Sequence, residues 1–246
     1  MVVFVSAYLL SDSIRRPLAE YFTHFYTLAN SGIEIYLFLD EKLKDSPEEQ
    51  AILQHKNVKI IKYISLDTSW YPDNPSSFVL PQKRNTPKDT LQYLIIQLMK
   101  LKLLNDTANI FPEHKYLAWI DFSIFHMITN KELAYERLKN ISLCSNFITT
   151  HIIAPSPCSN TNIHNLFDTP IWYFAGSFLL GHRELFAGAY LAQMDFVKTN
   201  LPRITWEVNY WYMMHNKFKI YYGDHNDTIL NLPIQDFQIS RFKEIQ

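Results

Sequence analysis

The chain has 246 residues, of which 48% are hydrophobic and 19% are charged, so it can bury the core of one large α/β domain and is not broadly disordered. Its formal net charge of −1 argues against charge-driven binding to nucleic acid or to an anionic membrane, although a local basic patch is not excluded. Its two cysteines, Cys144 and Cys158, provide neither a disulfide framework nor a zinc quartet.

The N-terminal segment is apolar, but it lacks the basic flank and the small-residue cleavage site of a signal peptide. We therefore expect a strand that starts at the first residues. No run approaches the ~18 uninterrupted apolar residues of a membrane-spanning helix. These features predict a soluble, cytoplasmic protein without a transmembrane segment, and they leave its oligomeric state open.

Predicted strands and helices alternate through the first half of the chain. Strands are predicted over 2–8, 33–40, 58–66 and 116–126, the last running into a turn, and helices over 17–30, 42–55 and 86–105. Ser46-Pro47 and Thr86-Pro87 are predicted to begin the second and third helices, because each pairs a capping hydroxyl with a proline at the first helical position. This order predicts a mostly parallel sheet with helices on both faces.

The second half is less regular and shows no clean domain boundary. We predict helices over 131–140, 182–200 and 205–216, and strands over 147–154, 171–181 and 218–225. Parallel sheets of this kind bind ligands beyond the carboxyl ends of their strands. We therefore expect the functional site at that edge.

Common phosphate-binding motifs are absent from the sequence. It contains no GxGxxG, no GxxxxGK[ST] and only five glycines, and it also lacks HExxH and GxSxG. A nucleotide-binding α/β protein of this kind needs another way to hold a diphosphate. A divalent ion bound by a carboxylate is one solution.

The segment Trp119-Ile120-Asp121-Phe122-Ser123 places an acid directly after an apolar strand. In extended backbone, Asp121 and Ser123 point to the same side while Phe122 points to the other. Asp121 is thus a candidate ligand for Mg²⁺ or Mn²⁺, which prefer oxygen ligands. The alternative is an aspartate that only caps the following turn.

Segment 119–126, WIDFSIFH, resembles the metal-binding DxD region of GT-A glycosyltransferases. Together with KDTLQYL, AGSFLLG and TWEVNYW further along, it makes the chain resemble the HtrL/YibB-like family of glycosyltransferases, which has algal-virus members. The resemblance spans roughly Lys88 to Asp227. It departs from the DxD pattern at Ser123, a hydroxyl in place of the second acid.

This resemblance implies a single Rossmann-like GT-A domain over 1–246, with a smaller mixed C-terminal part. Residues 1–126 would form the nucleotide-binding half and 127–246 the sugar and acceptor half. The implied activity moves a hexose from a nucleotide sugar, such as UDP-glucose, to a glycan or glycoprotein acceptor with Mn²⁺ or Mg²⁺, in the host cytoplasm if the protein is viral. Retention of configuration is favoured over inversion.

Particular residues follow from the resemblance and from the predicted strand ends. Glu207 and Asp121 are the candidate catalytic residues, and His225 is the candidate second metal ligand beside Asp121. The candidate nucleotide-sugar ligands are Ser6, Ala7, Tyr8, Lys88, Asp89, Phe122, Ser123, Gly176 and Ser177.

Simpler roles stay open for several of these residues. Glu207 can instead be a glutamate favoured by the helix dipole, Gly176 a site of close packing, and His225 a loop histidine. Arg15 and Arg16 are either phosphate ligands or solvated residues at a helix start, with the solvated role favoured. Segment 82–84 is either a basic loop that closes over a diphosphate or plain solvated charge.

Three other classes of protein compete with a glycosyltransferase. A sugar-nucleotide nucleotidyltransferase is disfavoured, because no glycine-rich loop follows the first strand. A non-catalytic nucleotide-sugar or carbohydrate-binding module is compatible with the altered DxD motif. A structural or interaction protein would make the polar residues at the strand ends coincidental.

Overall fold

The protein forms one mixed α/β sheet structure, seen in a computed structural model that describes residues 1–13, 16–145, 150–157, 165–222 and 230. Its strands are β1 (Val2–Tyr8), β2 (Ile35–Asp40), β3 (Val58–Ile64), β4 (Tyr116–Ile120), β5 (Ile152–Ser156), β6 (Phe178–His182) and β7 (Phe218–Tyr222). Its α-helices are α1 (Leu18–Ala29), α2 (Pro47–Ile52), α3 (Leu91–Leu98), α4 (Lys100–Ile110), α5 (Lys131–Leu143), α6 (Leu185–Asn200) and α7 (Glu207–Met213).

All seven strands join one sheet in the order β3-β2-β1-β4-β6-β5-β7. The pairs among β1 to β4 are parallel, as is the pair of β5 with β7, whereas β6 runs antiparallel to both β4 and β5. The predicted fold class, a mostly parallel α/β sheet with flanking helices, is confirmed. Strands from both halves of the chain share this sheet.

Side chains along each buried strand point alternately to the two faces of the sheet. Each face is covered by a different set of helices. On one face, Phe4 of β1 belongs to a core that also contains Phe25 of α1 and Leu138 of α5. On the other face, Val5 belongs to a core with residues of α3, α4, α6 and α7, including Leu104. Both faces are buried, as expected for strands that read as continuous apolar runs.

Strand β6 positions the turn that follows β4. Antiparallel pairing sets Ile120 opposite Phe178, and the Asp121 amide donates to the Ser177 carbonyl at 2.9 Å. The backbone at the end of β4 is therefore fixed by the residue that precedes β6. The strand predicted over 171–181 is shorter than expected, and His182, predicted as helical, ends β6 instead.

The prediction for the third helix was wrong in two respects. Helix α3 begins at Leu91 and is capped by Thr90, whose Oγ1 accepts from the Tyr93 amide at 3.2 Å, so Thr86 is not the cap. The helical stretch also breaks at Met99, where α3 ends and α4 begins. By contrast, Ser46 caps α2 as predicted, accepting from the Glu49 amide at 3.2 Å.

Among the described residues, no helix is both long and apolar enough to cross a bilayer.

The capping role of Thr90 predicts unequal effects of two threonine substitutions. Thr90→Ala should lower the free energy of unfolding by ~1 kcal/mol, because the first turn of α3 loses its side-chain acceptor. Thr86→Ala, at an exposed position ahead of the helix, should change it by less than about 0.5 kcal/mol. Urea unfolding of both variants measures the difference, and a larger loss for Thr86→Ala would contradict the observed helix start.

Candidate functional site

A cleft of about 280 Å³ lies at the carboxyl ends of β1 and β4. Ala7 and Tyr8 line it from β1, and Asp121 and Ser123 line it from the turn after β4. Side chains of α3, α4 and the start of α1 complete its walls. A cleft is therefore present where the sequence predicted the site, beyond the ends of neighbouring parallel strands.

Buried Lys100 is the centre of the polar cluster beside this cleft. Its side chain is 3% exposed, and its Nζ lies 3.1 Å from Asp121 Oδ1, 3.1 Å from Glu207 Oε1 and 2.7 Å from the Gly176 carbonyl oxygen. An ammonium has three N–H donors, so these three acceptors use all of them. We call Lys100, Asp121 and Glu207 the charge cluster.

The charge cluster brings together the two residues that the sequence predicted as catalytic. Because each carboxylate oxygen lies 3.1 Å from the same nitrogen, Asp121 Oδ1 and Glu207 Oε1 are at most about 6.2 Å apart. Burial alone would lower the pKa of Lys100, but the two carboxylates outweigh it and raise the pKa above its usual value. Lys100 is thus charged at neutral pH, and the cluster carries a net charge of −1.

Each carboxylate keeps one oxygen available. Asp121 is 34% exposed at its side chain, and its Oδ1 also accepts from Trp119 Nε1 at 2.7 Å. Glu207 is only 8% exposed at its side chain. Within the part of the chain that the structure describes, Asp121 Oδ2 and Glu207 Oε2 have no hydrogen-bond partner. Asp121 lines the cleft, whereas Glu207 is buried next to Lys100 and is not one of the lining residues.

Gly176 is required by the position of Glu207. A Cβ atom at residue 176 would overlap Glu207 Oε1 and would come within 3.3 Å of Lys100 Nζ. The next residue, Ser177, is 5% exposed, and its buried Oγ has no hydrogen-bond partner. In the predicted segment 175–181, the lack of a side chain at Gly176 therefore makes room for the Glu207 carboxylate. Ser177, the next residue, has a hydroxyl without a partner among the described residues.

Residues of β1 contribute to the cleft in different ways. Tyr8 lines it, and burial, with the charges of Tyr21 and Asp40, raises the pKa of its hydroxyl, which therefore stays a hydrogen-bond donor at neutral pH. Ser6 is fully buried and does not line the cleft, and its Oγ has no hydrogen-bond partner among the described residues. Asp40 does not line the cleft, because its Oδ2 accepts from the Leu10 amide at 2.9 Å and holds the loop after β1.

Phe122 points away from Asp121, as predicted, and is anchored in the core. Its ring stacks on Phe25 with a centroid distance of 4.1 Å and an interplanar angle of 6°, and it is 4% exposed. Its edge also lines the cleft beneath Tyr8, whose ring centroid is 4.7 Å away. The stacking fixes the turn that carries Asp121 and Ser123.

Lys88 and Asp89 do not join the residues that line the cleft. Asp89 Oδ2 accepts from the Asn85 amide at 3.0 Å, and its Oδ1 lies 3.6 Å from Lys88 Nζ. Lys88 Nζ lies 5.2 Å from the ring centroid of Tyr93, which does line the cleft. The pair stabilises the turn before α3 and lies next to the cleft rather than in it.

The proposed second metal ligand, His225, lies outside the described residues, as do Asp224 and Asp227. Among the described residues, no group of three or more His, Cys, Asp or Glu side chains is arranged to hold a metal ion. Asp121 supplies one free oxygen, and Ser123 lines the cleft beside it. These two residues fit a site in which most ligands come from a bound diphosphate, since Mg²⁺ is commonly held by one or two carboxylates and substrate phosphates.

The sequence analysis missed Lys100, although a signal was present. Lys100 is a lysine within the apolar run LIIQLMKLKLL, and it comes next to residues with the helical spacing of a buried face. Lysine is almost never fully buried without a partner. Its position indicates that a buried acidic side chain pairs with it, but it does not indicate which one.

Solved structures with a similar overall shape include two enzymes. One is 4-diphosphocytidyl-2C-methyl-D-erythritol synthase from Anaerococcus prevotii, with 12% identity, coverage of 96% of this chain and 94% of that chain, and a TM-score of 0.41. The other is a glycosyltransferase involved in the glycosylation of the major capsid of PBCV-1, with 9% identity, coverage of 90% and 82%, and a TM-score of 0.44. No protein-family model and no curated protein matches the chain. Neither structural similarity is close enough to transfer an activity or a residue role.

The charge cluster predicts a large difference between two lysines of α4. Lys100→Met should lower the free energy of unfolding at pH 7 by about 3–5 kcal/mol, because two carboxylates lose the cation that compensates them in a buried site. Lys102→Met is the control, because Lys102 is 39% exposed and pairs only with Asp106 on the same helix, and it should cost less than about 0.5 kcal/mol. Chemical denaturation of both variants measures these free energies of unfolding. Equal losses would show that Lys100 does not stabilise the two carboxylates.

Proposed function

We propose that this protein is a transferase that uses a nucleotide sugar, and more specifically a metal-assisted glycosyltransferase of the HtrL/YibB-like kind. It would move a hexose from a UDP-sugar to a glycan or glycoprotein acceptor. The observation that carries the proposal is the meeting of Asp121 and Glu207 at Lys100, beside a cleft at the carboxyl ends of β1 and β4.

Four residues that are distant in the sequence converge beside the cleft. Resemblance to glycosyltransferases selected Asp121, Glu207, Gly176 and Ser177 from segments up to 86 positions apart in the sequence. In the fold, Lys100 Nζ contacts Asp121, Glu207 and the Gly176 carbonyl oxygen. Ser177 joins them because its carbonyl accepts a hydrogen bond from the Asp121 amide. Such a convergence is expected of a functional site and is not required by packing alone.

The cleft suits one part of a nucleotide sugar. Its volume of about 280 Å³ is close to the lower end of small-molecule pockets, so it can hold the nucleoside while the sugar lies over the charge cluster. Tyr8 offers a ring face and a hydroxyl donor to the nucleoside. Ser6 and Ser177, on either side of β4, have buried hydroxyls without a hydrogen-bond partner among the described residues, but neither serine lines the cleft.

Asp121 would be one ligand of a divalent cation that also binds the diphosphate. When bound, Mn²⁺ or Mg²⁺ neutralises the charge that grows on the leaving diphosphate. The protein holds Asp121 ready for this role, because Lys100 and Trp119 fix Oδ1 and leave Oδ2 free. Ser123 would assist as a neutral oxygen, directly or through water.

Glu207 would act beside the anomeric carbon of the donor sugar. Lys100 holds Oε1, so Oε2 is the oxygen that can attack that carbon or stabilise positive charge on it. If Oε2 attacks, the bond from the anomeric carbon to the diphosphate breaks, and the acceptor hydroxyl then displaces Glu207 and loses its proton. Either role on the face opposite the diphosphate favours retention of configuration.

Sugar transfer should be lost when either carboxylate is neutralised. Asp121→Asn and Glu207→Gln should each lower kcat for UDP release from the preferred UDP-sugar by at least about 100-fold, because each removes charge placed at the reacting centre. Glu184→Gln is the control, since that glutamate side chain is 74% exposed. Assays over a panel of UDP-sugars and glycan acceptors, with and without Mn²⁺, measure the effect.

Several outcomes of that assay would contradict the proposal. Undiminished turnover in Asp121→Asn would show that Asp121 is not part of the site. Binding of a UDP-sugar by the wild-type protein without any release of UDP would favour the non-catalytic binding module, for which the Ser123 departure from DxD is the supporting observation.

Gly176 predicts a steric test of the position of Glu207. Gly176→Ala should lower kcat by about 10-fold or more with a smaller change in KM, because the added methyl group displaces the Glu207 carboxylate. Gly188→Ala is the matched control: it lies within α6, no atom lies within 4 Å of the added carbon, and alanine should stabilise that helix slightly. Steady-state kinetics of both variants separate the two outcomes, and full activity in Gly176→Ala would place Glu207 outside the reaction.

A further inference from the structure

The cleft contains a second group of polar atoms that the charge cluster does not use. Arg16 and Ser13 line the cleft at the start of α1. Arg16 Nη1 and Ser13 Oγ are both buried, and neither has a hydrogen-bond partner within the described ranges. A buried donor without an acceptor costs about 1–3 kcal/mol, so two of them in one cleft wall indicate a missing partner.

The remaining contacts of Arg16 do not involve Nη1 of its guanidinium. Its Nε lies 2.8 Å from Glu20 Oε1, and its Cζ lies 5.9 Å from the ring centroid of Tyr21. Its side chain is 16% exposed, so the planar group is held against the protein rather than extended into water. Glu20 offsets part of the charge, but it occupies Nε and not Nη1.

The first turn of α1 adds donors to the same place. Pro17 is the N-cap residue and makes no side-chain hydrogen bond to the helix, so the Leu18 and Ala19 amides have no capping side chain among the described residues. Leu18 itself lines the cleft. The positive end of the helix dipole and the guanidinium therefore favour an anion at the same end of the cleft.

A phosphate in this cleft would have to bind at the Arg16 end, because the charge cluster has no free donor for it. Without a bound cation, the formal net charge of −1 on the cluster repels a diphosphate, and all three Lys100 donors are taken. Among the described residues that line the cleft, Arg16 is the other side chain with a permanent positive charge. The basic loop expected to close over a diphosphate does not reach it, because Arg84 lies outside the cleft and donates to the Pro81 carbonyl at 3.1 Å.

We propose that Arg16 Nη1, Ser13 Oγ and the first-turn amides of α1 form an anion subsite that binds a phosphoryl group. If the protein uses a nucleotide sugar, as proposed above, this group is the diphosphate of the donor. The same chemistry also fits an unattached phosphate or pyrophosphate. The subsite favours phosphate contact over a solvated position, the two alternatives for Arg16 in the sequence.

Calorimetric titration with uridine, UDP and inorganic pyrophosphate tests the subsite. Arg16→Gln should weaken UDP and pyrophosphate by about 10- to 100-fold, as expected for a charge-assisted hydrogen bond, and should leave uridine unchanged. Ser13→Ala should weaken the same two ligands by a smaller factor. Arg203→Gln is the control, because that side chain is 50% exposed and pairs with Asp168 outside the cleft.

The ligands distinguish the possible outcomes. Loss of pyrophosphate binding with unchanged UDP binding would support the anion subsite and overturn its assignment to the donor diphosphate. Equal weakening of uridine and UDP, or no change in any ligand, would overturn the subsite itself, provided that thermal melting shows Arg16→Gln to be folded. Pyrophosphate binding does not require sugar transfer, so the subsite can hold even if the proposed enzymatic function fails.

Discussion

The buried ammonium of Lys100 is the constraint on which the site depends. A lysine removed from water is costly unless its charge and its three donors are all satisfied. Here the satisfaction comes from three separate parts of the chain: the turn after β4, the segment before β6 and the first residue of α7. Helix α4 can pack against the sheet with Lys100 inside only if these segments meet it.

The surrounding polar contacts hold the charge cluster in one arrangement. Gln193 of α6 donates to the Leu98 carbonyl at the break between α3 and α4, and it accepts from Trp211 Nε1 of α7. Asn209, two residues after Glu207, binds the 166–171 segment through Leu166, Thr169 and Ile171. Trp206 and Trp211 are buried in the same core and support α7.

Charge divides the cleft into two ends with different chemistry. At one end, Asp121 lines the cleft and shares the Lys100 ammonium with the buried Glu207, an arrangement that suits a cation or a carbon that gains positive charge. At the other end, Arg16, Ser13 and the start of α1 present unused donors, which suit an anion. A nucleotide sugar has both kinds of group in one molecule, since an anionic diphosphate adjoins the anomeric carbon.

The sequence by itself determined the class of the fold and the edge of the sheet where the cleft lies. Apolar strands such as Val2–Tyr8, the alternation with helices and an acid directly after β4 are local patterns, and local backbone preferences suffice to read them. Tertiary structure alone decided the start of α3 at Thr90, the break at Met99, the burial of Lys100 and the open face of Arg16. Those features depend on which distant groups come within 3 or 4 Å of one another, and no local pattern specifies a contact such as Lys100 with Glu207, 107 positions apart.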